Sequence, residues 1–105
     1  MQLNIIVGDY SMDLNIPEEF LEKSRPGIDN LDATMDRGIR FGPGWVEQPD
    51  SRQRCQFAAS KLLTALETNN EGLAMLSAGY IVSRLPGVQR VNIDTSGEPW
   101  ETTFE

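Results

Sequence analysis

The chain has 105 residues, a single cysteine (Cys55), no histidine and a formal net charge of −7. One cysteine leaves no intramolecular disulfide and no cysteine-built zinc site, and without histidine the Ser-His-Asp and Cys-His nucleophile systems and most zinc, copper and haem ligation drop out. The acidic balance argues against nucleic-acid and anionic-membrane partners, which need a positive field.

Leu3, Ile5 and Val7 alternate with Asn4, and Met12, Leu14 and Ile16 alternate with Asp13 and Asn15. A period of two predicts half-buried strands. Gly8-Asp9 between the runs suits a two-residue type II′ turn. That turn pairs Val7 with Tyr10, Ile5 with Met12 and Leu3 with Leu14 on one face, and Asn4 with Asp13 on the other.

Pro17 opens a helix with Glu18 and Glu19 in its first turn, where the helix dipole favours acids. Pro26 ends or interrupts it near Arg25. Ile28, Leu31, Met35 and Ile39, spaced by three and four, predict a second helix weakened by Gly38 and Gly42. Phe41-Gly42-Pro43-Gly44-Trp45 reads as an irregular loop.

Asp50, with Gln53 three residues on, offers a capping box. Cys55, Ala58, Ala59, Leu62, Leu63, Ala65 and Leu66 then form the apolar stripe of a long helix. Thr68-Asn69-Asn70-Glu71 repeats the capping grammar and predicts a further helix over 73–85. That helix is apolar almost all round, hence buried on more than one side, and Pro86-Gly87 closes it. Val91 and Ile93, then Trp100, Thr102 and Phe104, predict a second hairpin around Ser96-Gly97. Ile93 falls opposite Trp100, and Pro99 marks the last strand as an edge.

Two terminal hairpins with three to four helices between them predict an α+β fold, one domain over residues 1–105. In it an antiparallel sheet built from both hairpins carries the helices on one face. No apolar run approaches a membrane span, and the start lacks the basic region of a signal peptide. The expected location is the cytoplasm.

Charge is unevenly placed. Residues 1–22 carry five acids and no base, 23–61 carry seven bases and five acids, and 94–105 carry four acids and no base. Folding either mixes these segments on one surface or leaves a basic patch inside an acidic protein, suited to self-pairing or an acidic partner.

Asp29, Asp32 and Asp36 would share one helical stripe. Oxygen ligands of this kind suit Mg²⁺, Mn²⁺ or Ca²⁺, but the favoured reading is a solvated acidic face neutralised by Arg37 and Arg40. Cys55, beside Arg54 near a helix start, has the setting of a reactive thiol, while its place on the apolar stripe makes it a small core residue. The 41–45 segment is either a ligand lid or interface anchor, or a plug in which Trp45 folds into the core.

The favoured function is a non-catalytic protein-interaction module, a small homodimer or an adaptor for another protein. The 73–85 helix has more apolar surface than a short chain readily covers, and two-fold dimerisation is the common remedy. Phe41, Trp45, Tyr80 and Trp100 are the expected partner contacts. No catalytic residue, metal ligand or cofactor is assigned. The alternative is a small enzyme or ligand binder using carboxylates and arginines near the Gly-Pro-Gly-Trp segment, with an acid of raised pKa in a pocket beside Trp45. Nucleic-acid binding would rest on Arg37, Arg40, Arg52, Arg54 and Lys61 with Phe41 and Trp45 interleaved, against a field of the wrong sign.

Overall fold

A computed structural model describes residues 1–105. Strands β1 (Gln2–Val7) and β2 (Tyr10–Asn15) form the first hairpin in the register derived from the sequence: Val7 opposite Tyr10, Ile5 opposite Met12, Leu3 opposite Leu14. Gly8 has φ +60° while Asp9 keeps a negative φ. Positive φ at the first turn position alone is the type II′ requirement, and glycine meets it without a Cβ penalty.

Helix α1 (Glu18–Lys23) starts after Pro17. The first helix ends at Lys23, just before Arg25 as expected, and Pro26 then belongs to the next helix. This proline lies in the first turn of α2 (Arg25–Met35), which begins as α1 ends, and there its missing N–H would have no partner anyway. The second helix ends earlier than its apolar spacing predicts, because Gly38 takes φ +102°. Ile39 therefore leaves the helix and enters strand β3 (Ile39–Phe41), paired with β4 (Gly44–Val46). The 41–45 segment is thus mostly strand, with Gly42 at φ +64° in the turn.

Helix α3 (Ser51–Glu67) carries the predicted capping box. Asp50 Oδ1 accepts from Gln53 N at 2.8 Å, and Gln53 Oε1 accepts from Asp50 N at 2.9 Å. Asp50→Ala removes the bond from Gln53 N, leaves the Asp50 N–H to Gln53, and is expected to destabilise the protein by about 1 kcal/mol. Thermal unfolding followed by circular dichroism should then show a midpoint lowered by about 4–8 °C; no shift would mean the first turn is held by packing alone. Helix α4 (Glu71–Arg84) is capped by Asn70, whose Oδ1 accepts from Leu73 N at 3.1 Å. Thr68, in the expected capping position, instead closes the end of α3.

The 73–85 helix is buried by its own chain. Gly79 lets α1 and α2 approach so closely that a Cβ there would lie 3.3 Å from Leu21 Cδ2. Ala74, Ala78, Ile81 and Val82 join the core with Ala58, Ala59, Leu62 and Ala65 of α3. The apolar excess on α4 therefore supplies no motive for dimerisation.

Strand β5 (Arg90–Ile93) lies parallel to β1, with Ile5 opposite Val91, and β6 (Thr103–Phe104) lies antiparallel to β5. The order β2-β1-β5-β6 makes one four-stranded sheet from both termini. The α+β class holds, with the difference that the two terminal units meet through a parallel pair, so the sheet is mixed. A parallel pair needs a long crossover, which the helices supply. The second turn also differs. Pro99–Glu101 forms a 3₁₀ turn, and Val91, not Ile93, faces the last strand, through Phe104. The Asp94 carboxylate draws in Ser96 N at 3.0 Å and Glu98 N at 2.8 Å, which holds a wider connection than a two-residue hairpin.

The helices cover one face of the sheet. The other face is polar: Asn4 donates to Ser11 Oγ at 3.1 Å and Asp13 Oδ1 at 3.0 Å, and accepts from Arg90 Nε at 2.9 Å. No helix is long and apolar enough to cross a membrane.

Candidate functional site

The aspartate stripe of α2 faces α3 and α4. Asp32 accepts from Arg54 Nη1 at 3.0 Å, from Arg84 Nε at 2.9 Å and from the Tyr80 hydroxyl. Asp36 accepts from Arg54 Nη2 at 2.6 Å, and Asp29 from Arg84 Nη2 at 3.2 Å. The partners are Arg54 and Arg84, not the sequence-near Arg37 and Arg40. Burial pushes the Asp32 carboxyl up, but the bonds from Tyr80, Arg84 and Arg54 outweigh it, and the pKa falls below the usual value. Burial and the bond to Asp32 raise the Tyr80 hydroxyl. The aspartates are drawn onto arginines rather than toward one another, so the cluster ties three helices together. Cys55 lies fully buried behind it, its thiol pushed up to about 11 by burial first and then by the Asp32 charge. That is a core cysteine, far from the thiolate a nucleophile needs.

The four expected contact residues separate. Tyr80 is 1% exposed and committed to Asp32. Phe41 is buried, with its ring 6.2 Å from that of Trp100 and inclined by 52°. Trp45 is 61% exposed and Trp100 45%. Alternation along a strand explains the division: Ile39 and Phe41 point inward, while Arg40 and its cross-strand partner Trp45 point out. Phe41, not Trp45, is the plug. Two glycines seat the tryptophans: a Cβ on Gly38 would lie 2.6 Å from Trp45 Cζ2, and one on Gly42 2.7 Å from Trp100 Cζ3. Near Gly42, Arg40 and Lys61 border a shallow cleft of about 380 Å³ with Ser60, Thr64 and Pro99, Lys61 lying over the Phe57 ring at 5.3 Å.

A further site was not among the expected ones. Strand β2 is an edge of the sheet. Met1 and Ile16 exchange backbone bonds, Ile16 N to Met1 O at 2.6 Å and Met1 N to Ile16 O at 3.0 Å. In an antiparallel pair such bonded positions alternate. Tyr10, Met12 and Leu14 therefore direct N–H and C=O at β1, and Ser11, Asp13 and Asn15 direct theirs outward, where the chain provides no partner.

Beside this edge the helical layer falls short of β2. Met12 and Leu14 are only half-buried. They overlook two adjoining hollows of about 380 and 480 Å³ that share Met12, Leu66 and Asn69, with Met75 in the first and Leu63 in the second. Asp13 on the open face and Glu67 and Glu71 on the helical side are exposed acids, and no lysine or arginine lines either hollow. The sequence signals were the alternating apolar residues of β2 and the absence of any base from residues 1–22. Neither reveals that β2 is an edge.

No protein-family model matches the chain, and no curated protein or solved structure matches it.

Proposed function

We propose that the protein is a non-catalytic protein-interaction module, an adaptor of the cytoplasm, that engages its partner through the β2 edge. The observation that carries this reading is the row of outward backbone groups at Ser11, Asp13 and Asn15 beside an apolar hollow. An open edge of six residues is a ready template for a strand from another chain. The adaptor form is favoured over the homodimer, because α4 is already covered and two acidic copies repel. Two features weigh against catalysis. The shifted carboxyls, Asp32 and Asp94, both move down, away from the raised value a general acid near neutrality needs. The thiol of Cys55 moves up. For the ligand-binding alternative there remains the cleft at Arg40 and Lys61.

Asp13→Pro tests the reading. The Asp13 N–H points outward, so proline removes an edge donor without breaking a backbone bond to β1; the exposed side-chain bond from Asn4 is lost with the carboxylate. Tagged wild type should capture a stoichiometric protein from lysate of its own source organism, and Asp13→Pro should lose it while Trp45→Ala retains it. Equal capture by wild type and Asp13→Pro, with loss in Trp45→Ala, would move the contact to the β3–β4 hairpin.

A further inference from the structure

We infer that the occupant of the β2 edge is an extended segment of another protein in which apolar residues alternate with lysine or arginine, added as a fifth strand to the four-stranded sheet. The inference rests on the reading of β2 as the docking edge and names the chemistry of what docks there.

Three observations converge on that chemistry. The first is the backbone. Sheet edges are commonly guarded by lysine, proline, a bulge or sheer shortness. The opposite edge, β6, has two residues. β2 has six, pairs with β1 without a bulge and contains no proline or base. Its outward groups recur at every second residue, which is the spacing an added strand requires.

The second is the helix-side surface. Alternate side chains of an added strand would lie over Met12, Leu14, Leu66 and Met75, in the two adjoining hollows. These positions demand apolar groups, and two methionines let the lining adapt to their shape.

The third is charge. The intervening side chains of the added strand would project on the open face beside Asp13, whose carboxylate has Asn4 as its hydrogen-bond partner. Glu67 and Glu71 border the helical side and Asp9 lies in the turn. Arg90 on the open face is already tied to Asn4 and Glu105, and no base lines the hollows, so against four acids lysine or arginine is the complement. A second copy of this chain would instead bring the same four carboxylates to one seam, each copy carrying −7 overall. Charge therefore decides for a foreign basic segment over self-pairing.

The probe is a synthetic heptapeptide, Lys-Val-Lys-Val-Lys-Val-Lys, titrated into nitrogen-15-labelled protein, with Glu-Val and Lys-Thr counterparts as controls. Saturable binding of the Lys-Val peptide is expected, with the amides of Ser11, Asp13 and Asn15 shifted and protected from exchange. Affinity should fall about tenfold between roughly 20 and 200 mM salt. It should fall by a similar factor or more for either control peptide. The double variant Asp13→Lys, Glu71→Lys alters two exposed side chains and leaves the core alone, and it should transfer the preference to the Glu-Val peptide. Equal binding of both charged peptides to wild type, or shifts centred on Arg40 and Lys61, would overturn the inference. So would concentration-dependent protection of the Ser11, Asp13 and Asn15 amides in the protein alone, which would make a second copy the occupant. A cellular partner lost on Asp13→Pro, together with no binding of the Lys-Val peptide, would sink the basic segment while leaving β2 as the docking edge. Absence of any partner that depends on that edge would remove the underlying reading itself.

Discussion

Asp32→Ala is expected to lower stability by about 2–3 kcal/mol, the largest loss from any single charged side chain in the molecule. One carboxylate holds the Arg54 and Arg84 guanidinium groups and the Tyr80 hydroxyl. Its removal strands a phenol on a residue 1% exposed and leaves two cations facing each other without their shared anion. The side chain of Asp32 is itself 27% exposed, so water recovers part of the loss, and the figure falls below the range for a fully buried pair. A midpoint of thermal unfolding lower by about 10–15 °C is the corresponding observation. The pH dependence has a definite sign. The Asp32 pKa is lowered in the folded state, so its stabilisation is present above the unfolded carboxylate pKa of about 3.9 and is lost as pH falls through the lower folded value. The gap between wild type and Asp32→Asn should therefore be widest near neutral pH and close toward pH 2. A gap that is constant with pH, or below about 1 kcal/mol at pH 7, would reduce the cluster to surface ion pairs.

The same cluster marks the boundary of what could be read from the chain. The Asp50–Gln53 cap and the β1–β2 register depend on groups a few residues apart, and each was legible because a local rule fixes it. The partners of Asp32 lie 22 residues away at Arg54 and 52 away at Arg84. The sequence-near Arg37 and Arg40 are the natural choice only while the helix is considered alone. Pairing of β1 with β5 is a long-range choice of the same kind, and no turn residue encodes it. The β3–β4 hairpin is an intermediate case. Two glycines and a proline suggest irregular backbone, yet Ile39, Arg40 and Phe41 already alternate, and a period of two applied there separates Phe41 from Trp45. The docking edge was the least legible feature. Met12 and Leu14 signal a half-buried strand in any sheet order, and they become part of a groove only because β5 pairs with the far side of β1, not with β2, and the helices stop short.

Gln56→Leu should be nearly as damaging as the loss of Asp32, and in a more localised way. Gln56 is 3% exposed on α3, and its Nε2 donates to the carbonyl oxygens of Trp100 at 3.2 Å and Thr102 at 3.0 Å. Thr102, also buried, accepts from Asp94 N at 3.0 Å through Oγ1. One amide thus fastens the segment between the 3₁₀ turn and β6, where the backbone is outside any ladder and has few alternatives for its carbonyls. Leucine fills a similar volume but leaves both acceptors unpaired inside the protein, which costs about 2–3 kcal/mol. The expected outcome is early release of the C-terminal segment. Amide exchange should accelerate at Thr103 and Glu105, which pair with β5, before it changes in the centre of α3. In a Trp45→Phe background the Trp100 emission should shift red as its ring leaves Phe41 and Gly42. If α3 and β6 instead lose protection together, Gln56 serves the whole core and the C-terminal segment is held by its neighbours. A loss below about 1 kcal/mol would mean that water reaches the two carbonyls once the amide is gone, and that the short β5–β6 ladder is sufficient to keep Trp100 against the hairpin.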